Sequence, residues 1–160
     1  MKRIIVPLIL VALSIAGCTG NDGRPADLPP LFPCEITITQ EGNPLVGATV
    51  GLESIGESQG TYFPAGITDD RGKTVLSTYG YDGAPAGKYK VTVRKTVTEG
   101  GSNATNEYGE PIGSGGIEYR TVETKFSRAN TTPHEIEVTK SRTMLQATFD
   151  VGKPIKEKKM

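Results

Sequence analysis

Apolar and polar residues alternate with a period of two along most of the chain. Cys34, Ile36 and Ile38 interleave with Glu35, Thr37 and Thr39, and Ala48, Val50 and Leu52 interleave with Thr49, Gly51 and Glu53. The period returns in Tyr89, Val91 and Val93, in His134, Ile136 and Val138, and in Leu145, Ala147, Phe149 and Val151. Phe63, Ala65 and Ile67 make a shorter run in which Pro64 suits an edge position. Val75 and Leu76 are adjacent, so their strand has no facing that the pattern can assign. Side chains of a strand point to opposite faces in turn, so each run predicts a strand with one face buried and one wet. Turn formers separate the runs at Glu41-Gly42-Asn43-Pro44, at 54–60, at Asp69-Asp70-Arg71-Gly72 and at 79–87. Beyond the first 17 residues no window keeps a helical period. About seven half-buried strands joined by turns predict an all-β fold of antiparallel sheets packed face to face.

The first 17 residues follow a different pattern. Met1-Lys2-Arg3 is a short basic start, and Ile4–Ile15 is apolar except for Pro7 and Ser14. A bilayer span needs about 20 apolar residues, so this run has the anatomy of a signal peptide. Its end, Ile15-Ala16-Gly17-Cys18, resembles the lipobox of bacterial lipoproteins. In that family the cysteine thiol receives diacylglycerol, the leader is cut before it, and the new N-terminus is acylated. The resemblance implies lipidation at Cys18 and residence in the cell envelope. Thr19, rather than an aspartate, follows the cysteine, which in Gram-negative lipoproteins directs export to the outer membrane. Buried acyl chains contribute about 0.8 kcal/mol per CH₂, enough in combination to anchor the protein durably.

Residues 18–33 hold the lipidated cysteine and a Pro/Gly-rich linker with no apolar period. Fully extended, its fifteen residues after Cys18 would reach ~50 Å. Leu31 and Phe32 could instead dock on the domain, and the two roles are compatible. The domain itself is expected over 34–152, interrupted by a flexible insertion at about 97–120, with a solvated basic tail at 153–160. The insertion is rich in Gly, Asn, Glu and Ser; Tyr108 and Tyr119 stand in it as isolated aromatics and are the candidate binding residues.

Composition agrees with short strands and many turns: Gly 20, Pro 11, no Trp and 36% hydrophobic residues. Lys+Arg and Asp+Glu are 18 each, so no net field points to nucleic acid. Loss of Lys2 and Arg3 with the leader would leave the mature chain slightly acidic. With Cys18 lipidated, Cys34 is the only other cysteine, so no internal disulfide is available. Its place in the alternation suits a small buried hydrophobe better than a reactive thiol.

Few parts for catalysis are present. His134 is the only histidine, and it points with Ile136 and Val138, as a strand-end or core-rim residue would. No C-x-x-C pair or zinc spacing occurs. Asp69 and Asp70 lack the carboxylate spacing of a calcium loop and suit a turn without metal. No phosphate-binding glycine loop or basic-aromatic stripe is found. Asn103-Ala104-Thr105 and Asn130-Thr131-Thr132 match glycosylation sequons, which carry no weight in a bacterial lipoprotein. The expectation is a non-enzyme with no cofactor and no metal.

Three segments in order, Gly42–Val50 (GNPLVGATV), Gly66–Gly72 (GITDDRG) and Pro85–Val93 (PAGKYKVTV), resemble the carboxypeptidase regulatory-like domains. These are transthyretin (prealbumin)-like sandwiches found in envelope lipoproteins. The resemblance spans residues 42–93 and implies a seven-stranded immunoglobulin-like or prealbumin-like sandwich. In it Gly47 and Ala48 would allow close strand approach, Asp69 and Gly72 would build a turn, and Tyr89 would supply a core ring with its hydroxyl on backbone. Prealbumin-like hydrolases of a purine-breakdown product use several histidines and a C-terminal Tyr-Arg-Gly-Ser. Here Tyr119-Arg120 continues as Thr121-Val122 in mid-chain, so that activity is not implied. The function expected is a lipid-anchored module that binds or spaces towards an envelope protein or polysaccharide. The alternative is a carrier of a small apolar ligand in a cavity or dimer channel.

Overall fold

The computed structural model describes residues 24–56, 62–101, 108 and 116–159. The leader, Cys18 and the interior of the insertion apart from Tyr108 lie outside the described residues. Among the described residues the chain forms β1 (Leu31–Phe32), β2 (Cys34–Gln40), β3 (Asn43–Pro44), β4 (Thr49–Ser54), β5 (Ala65–Ile67), β6 (Lys73–Val75), β7 (Ser77–Thr78) and β8 (Tyr81–Asp82). There follow β9 (Ala84–Pro85), β10 (Gly87–Arg94), β11 (Thr96–Glu99), β12 (Ile117–Arg120), β13 (Glu135–Val138), β14 (Leu145–Asp150) and β15 (Glu157–Lys158). A single 3₁₀ turn spans Thr124–Ser127. The fold is all-β with several antiparallel sheets. Its strand segments outnumber the seven expected, because turns and glycines cut the shorter runs into two- and three-residue pieces.

One sheet has the order β13-β10-β4-β5-β7-β8; another is built on β2, flanked by β14, β3 and β6. Their inner faces share one core. Cys34, Ile36 and Ile38 of β2 belong to the same buried cluster as Val50 and Leu52 of β4, Tyr89, Val91 and Val93 of β10, and Val138 of β13. At roughly 25 cal/mol per Å² of apolar surface, this cluster is the main favourable contribution to folding. Leu76 is buried and Val75 exposed, which settles the facing that the adjacent pair left open.

Two pairings depart from expectation. β14 runs parallel to β2, with Leu145 opposite Cys34 and Asp150 opposite Thr39, whereas antiparallel neighbours are expected throughout. Alternation has the same period in either direction, so it carries no signal for this choice. The Asp150 carboxylate fixes the end of the pair by accepting from Gly42 N, Thr39 Oγ1 and Gly152 N. The second departure is β5. Phe63 and Ile67 do share a face, but it is the solvent face, at 58% and 69% exposure. The inward positions are Pro64 and Thr68, both buried, and the half-buried Gly66. A Cβ at Gly66 would run into the Thr74 side chain, and the Thr68 hydroxyl donates to Leu45 O while accepting from Ala48 N. Those contacts hold the register that turns Ile67 outward.

Both ends of the domain are tied down. Leu31 and Phe32 pair with Pro85 and Ala84 of β9, Leu28 is buried, and the Tyr62 hydroxyl donates to Asp27 O. Residues 25–32 therefore form a strap on the domain, within the segment that the sequence reads as linker. The tail, expected to be solvated, runs back as β15 along β12, with Lys159 N donating to Glu118 O. Backbone pairing needs no apolar side chains, so a polar tail gives no warning of it. The insertion begins and ends as a hairpin, in which β11 pairs with β12 from Thr96–Arg120 to Glu99–Ile117.

Candidate functional site

His134 is the first residue to place. Its ring stacks on Phe126 at 5.2 Å and lies tilted against Phe149 at 4.9 Å. Nε2 is 3.0 Å from Asp150 O, and a carbonyl can only accept, so this nitrogen carries the hydrogen. Burial pulls the imidazole below its ordinary pKa, against the opposing influence of the Asp150 carbonyl and carboxylate. Its ring packs between aromatic rings and its Nε2 is committed to backbone. Cys34 is fully buried, and desolvation pushes its thiol up to about 11, so the thiolate that nucleophilic chemistry requires is scarce at neutral pH.

Asp69 turns its carboxylate back on its own hairpin. Oδ1 accepts from Arg71 N at 2.9 Å and Lys73 N at 2.8 Å, and these backbone donors hold the acid below the usual carboxylate range. Gly72, at φ 73°, closes the turn, and a Cβ there would stand 2.5 Å from Ile38 O. Gly47 differs from its expected part. It has a positive φ of 67° with open space around it, so it provides a turn conformation rather than close approach. Tyr89 is buried, and its hydroxyl donates to Pro85 O at 2.8 Å. Among the described residues no group of three or more His, Cys, Asp or Glu is arranged to hold a metal ion.

The two candidate binding tyrosines have different surroundings. Tyr108 is 82% exposed. Tyr119 lies in β12, half-buried, with Lys156 Nζ 4.6 Å above its ring. Its neighbours on β12 point to the opposite face, so Arg120 turns away from the ring.

A groove of about 660 Å³ lies where the strap meets the start of β10. Pro29, Pro30 and Phe32 of the strap form one wall; Ile55, Tyr62, Pro85 and Tyr89 supply more apolar surface, and Lys88 and Lys140 add charge. The alternation does not predict this groove, because one wall of it belongs to the segment read as linker. The Pro-rich run with Leu31 and Phe32 is its only trace in the sequence. A groove of this size, apolar with two cations, suits a small apolar molecule bearing an acid group.

No family model matches the chain. No curated protein matches it either. Two solved structures are weakly similar. The major pilin subunit of Bacillus cereus, BcpA, gives a TM-score of 0.39 at 14% identity, over 77% of this chain and 30% of that one. The 9R-lipoxygenase from Cyanothece PCC8801 gives 0.36 at 12% identity, over 76% and 16%. The chain thus spans less than a third of either protein. Among the described residues no helix is long and apolar enough to cross a membrane.

Proposed function

We propose that the protein is a lipid-anchored, non-catalytic module of the cell envelope, held at the outer membrane through acylated Cys18. Its domain is an immunoglobulin-like or prealbumin-like sandwich of the carboxypeptidase regulatory-like kind, and it binds or spaces towards an envelope protein or polysaccharide. The observation that carries this reading is the sequence Ile15-Ala16-Gly17-Cys18 at the end of a 12-residue run that is apolar save for Pro7 and Ser14. The docked strap adds a geometric consequence. With residues 25–32 on the domain, only 18–24 separate it from the lipid, a reach of roughly 24 Å at 3.3–3.6 Å per residue. The module therefore works close to its membrane.

Cell fractionation tests the anchor. The wild-type chain is expected in the membrane pellet with incorporated fatty acid, and Cys18→Ala in the soluble fraction without it. A variant that still pellets and still carries label defeats the reading.

A second reading, a carrier of a small apolar ligand, is favoured by the 660 Å³ groove. The two are compatible, since a tethered domain can also hold a ligand beside its strap.

A further inference from the structure

At the opposite end of β10 from the groove, three arginines meet. Arg94 ends β10, Arg120 ends β12 and Arg128 follows the 3₁₀ turn; with Lys159 they line a pocket of about 330 Å³. Thr96, Thr124 and Ser127 add hydroxyls, and among the described residues no carboxylate lines the pocket. The five ion pairs among the described residues all use lysines, so none neutralises these guanidiniums. Lys159 is the one cation of the pocket with an acidic partner, Glu118 at 2.7 Å.

Neutral groups orient two of the arginines. Arg94 Nε donates to Ser127 O at 3.1 Å, and Arg120 Nη1 donates to Thr124 Oγ1 at 2.7 Å. A guanidinium has five N–H donors, so each of these bonds fixes the plane and leaves others for a ligand. The three guanidiniums have no ion-pair partner among the described residues and repel one another, and a multiply charged anion among them relieves that repulsion. Three forked donors with neighbouring hydroxyls match the oxygens of a tetrahedral dianion better than a single carboxylate.

We propose that this pocket binds a phosphate group. The β10 strand spans about 23 Å between the groove and the pocket at ~3.3 Å per residue. On the reading that Cys18 is lipidated, the strap marks the membrane side, so the phosphate is met on the side facing away from the anchor.

The test uses the full chain, purified in nonionic detergent and titrated calorimetrically with pyrophosphate at low salt. Binding is expected in the wild type. Arg94→Gln and Arg120→Gln should each weaken it about tenfold or more, as the loss of a charge-assisted hydrogen bond implies. Arg142→Gln, which removes the same charge from the loop between β13 and β14 at the groove end, should bind like the wild type. No binding by the wild type, or equal weakening by Arg142→Gln, overturns the proposal. Thermal melts of each variant check that the fold is kept.

A second arm identifies the source of the phosphate. The chain is placed in phosphatidylcholine vesicles and mixed with separate phosphatidylglycerol vesicles. Arginine-dependent bridging, read by light scattering, assigns the phosphate to an apposed lipid headgroup. Pyrophosphate binding without bridging assigns it to a soluble or polymer-borne phosphate. A chain that fails to float with vesicles yet binds pyrophosphate rejects the anchor and leaves the pocket standing.

Discussion

Gly83→Ala should peel the strap from the domain while leaving the core folded. Gly83 has φ 109°, outside the range that L side chains adopt at low cost. A Cβ there would stand 2.8 Å from Phe32 O, 3.0 Å from its carbonyl carbon and 3.1 Å from its nitrogen. All three are backbone atoms, so no rotamer change relieves the contact. Gly83 itself is pinned on both sides, since its N–H donates to Leu76 O at 2.7 Å and its carbonyl accepts from the Thr78 hydroxyl at 2.7 Å. The strap is the side that can move, because β1 holds the domain through two residue pairs with β9. Backbone strain of this kind costs about 1–3 kcal/mol. If strap opening relieves most of it, the opening equilibrium shifts by roughly 5- to 150-fold. Hydrogen exchange read by mass spectrometry on peptides covering 28–32 and 34–40 measures this directly. Faster exchange is expected in the first peptide and unchanged exchange in the second. Unchanged exchange at Leu31 and Phe32 in a folded variant would refute the reasoning, and so would equal loosening of both peptides. Release would also lengthen the spacer to the ~50 Å expected for an undocked linker.

Two further outcomes follow from the sites above. His134 is held neutral by burial, so the unfolded chain takes up its proton first as pH falls. Stability is therefore expected to be complete above about pH 6.5 and to drop below it; the urea midpoint of His134→Phe should be flat between pH 7.5 and 5, and a wild-type midpoint that rises on acidification rejects the assignment. Asp69 and Asp150, both lowered by backbone donors, lose their contributions only on further acidification, below about pH 4, and leave this window clear. In the groove, 2-naphthoate is expected to shift the amide resonances of Ile55 and Gly87, and Ile55→Glu to weaken its binding about tenfold by setting a carboxylate against the ligand's own. Equal binding by the variant removes the carrier reading.

The long strands were legible because burial on one face writes itself into every second residue. Ile36 and Ile38, Val50 and Leu52, and Val91 and Val93 are buried, as their spacing predicts. The Asp69–Gly72 turn was legible for a local reason, since an aspartate that can accept from its own backbone and a glycine free to take positive φ need only their neighbours in sequence. The β5 face was misread because Phe63, Ala65 and Ile67 alternate as well as any core strand. What turns Phe63 and Ile67 outward is the close approach of the Thr74 side chain at Gly66, where no Cβ fits, and the Thr68 hydroxyl bonded to Leu45 O, both involving residues elsewhere in the chain.

The sequence by itself determined the class of fold, the positions of the long strands and the Asp69–Gly72 turn. These depend on periodicity and on short contiguous motifs. Only the tertiary structure decided that β14 lies parallel to β2, that the polar tail returns as a strand, and that the Pro-rich segment straps onto β9. Backbone hydrogen bonding is nearly indifferent to side chains, so such pairings leave little mark on composition. The arginine pocket belongs with them. Arg94, Arg120 and Arg128 are spread over 35 positions, and only the meeting of β10, β12 and the 3₁₀ turn gathers their charge at one place.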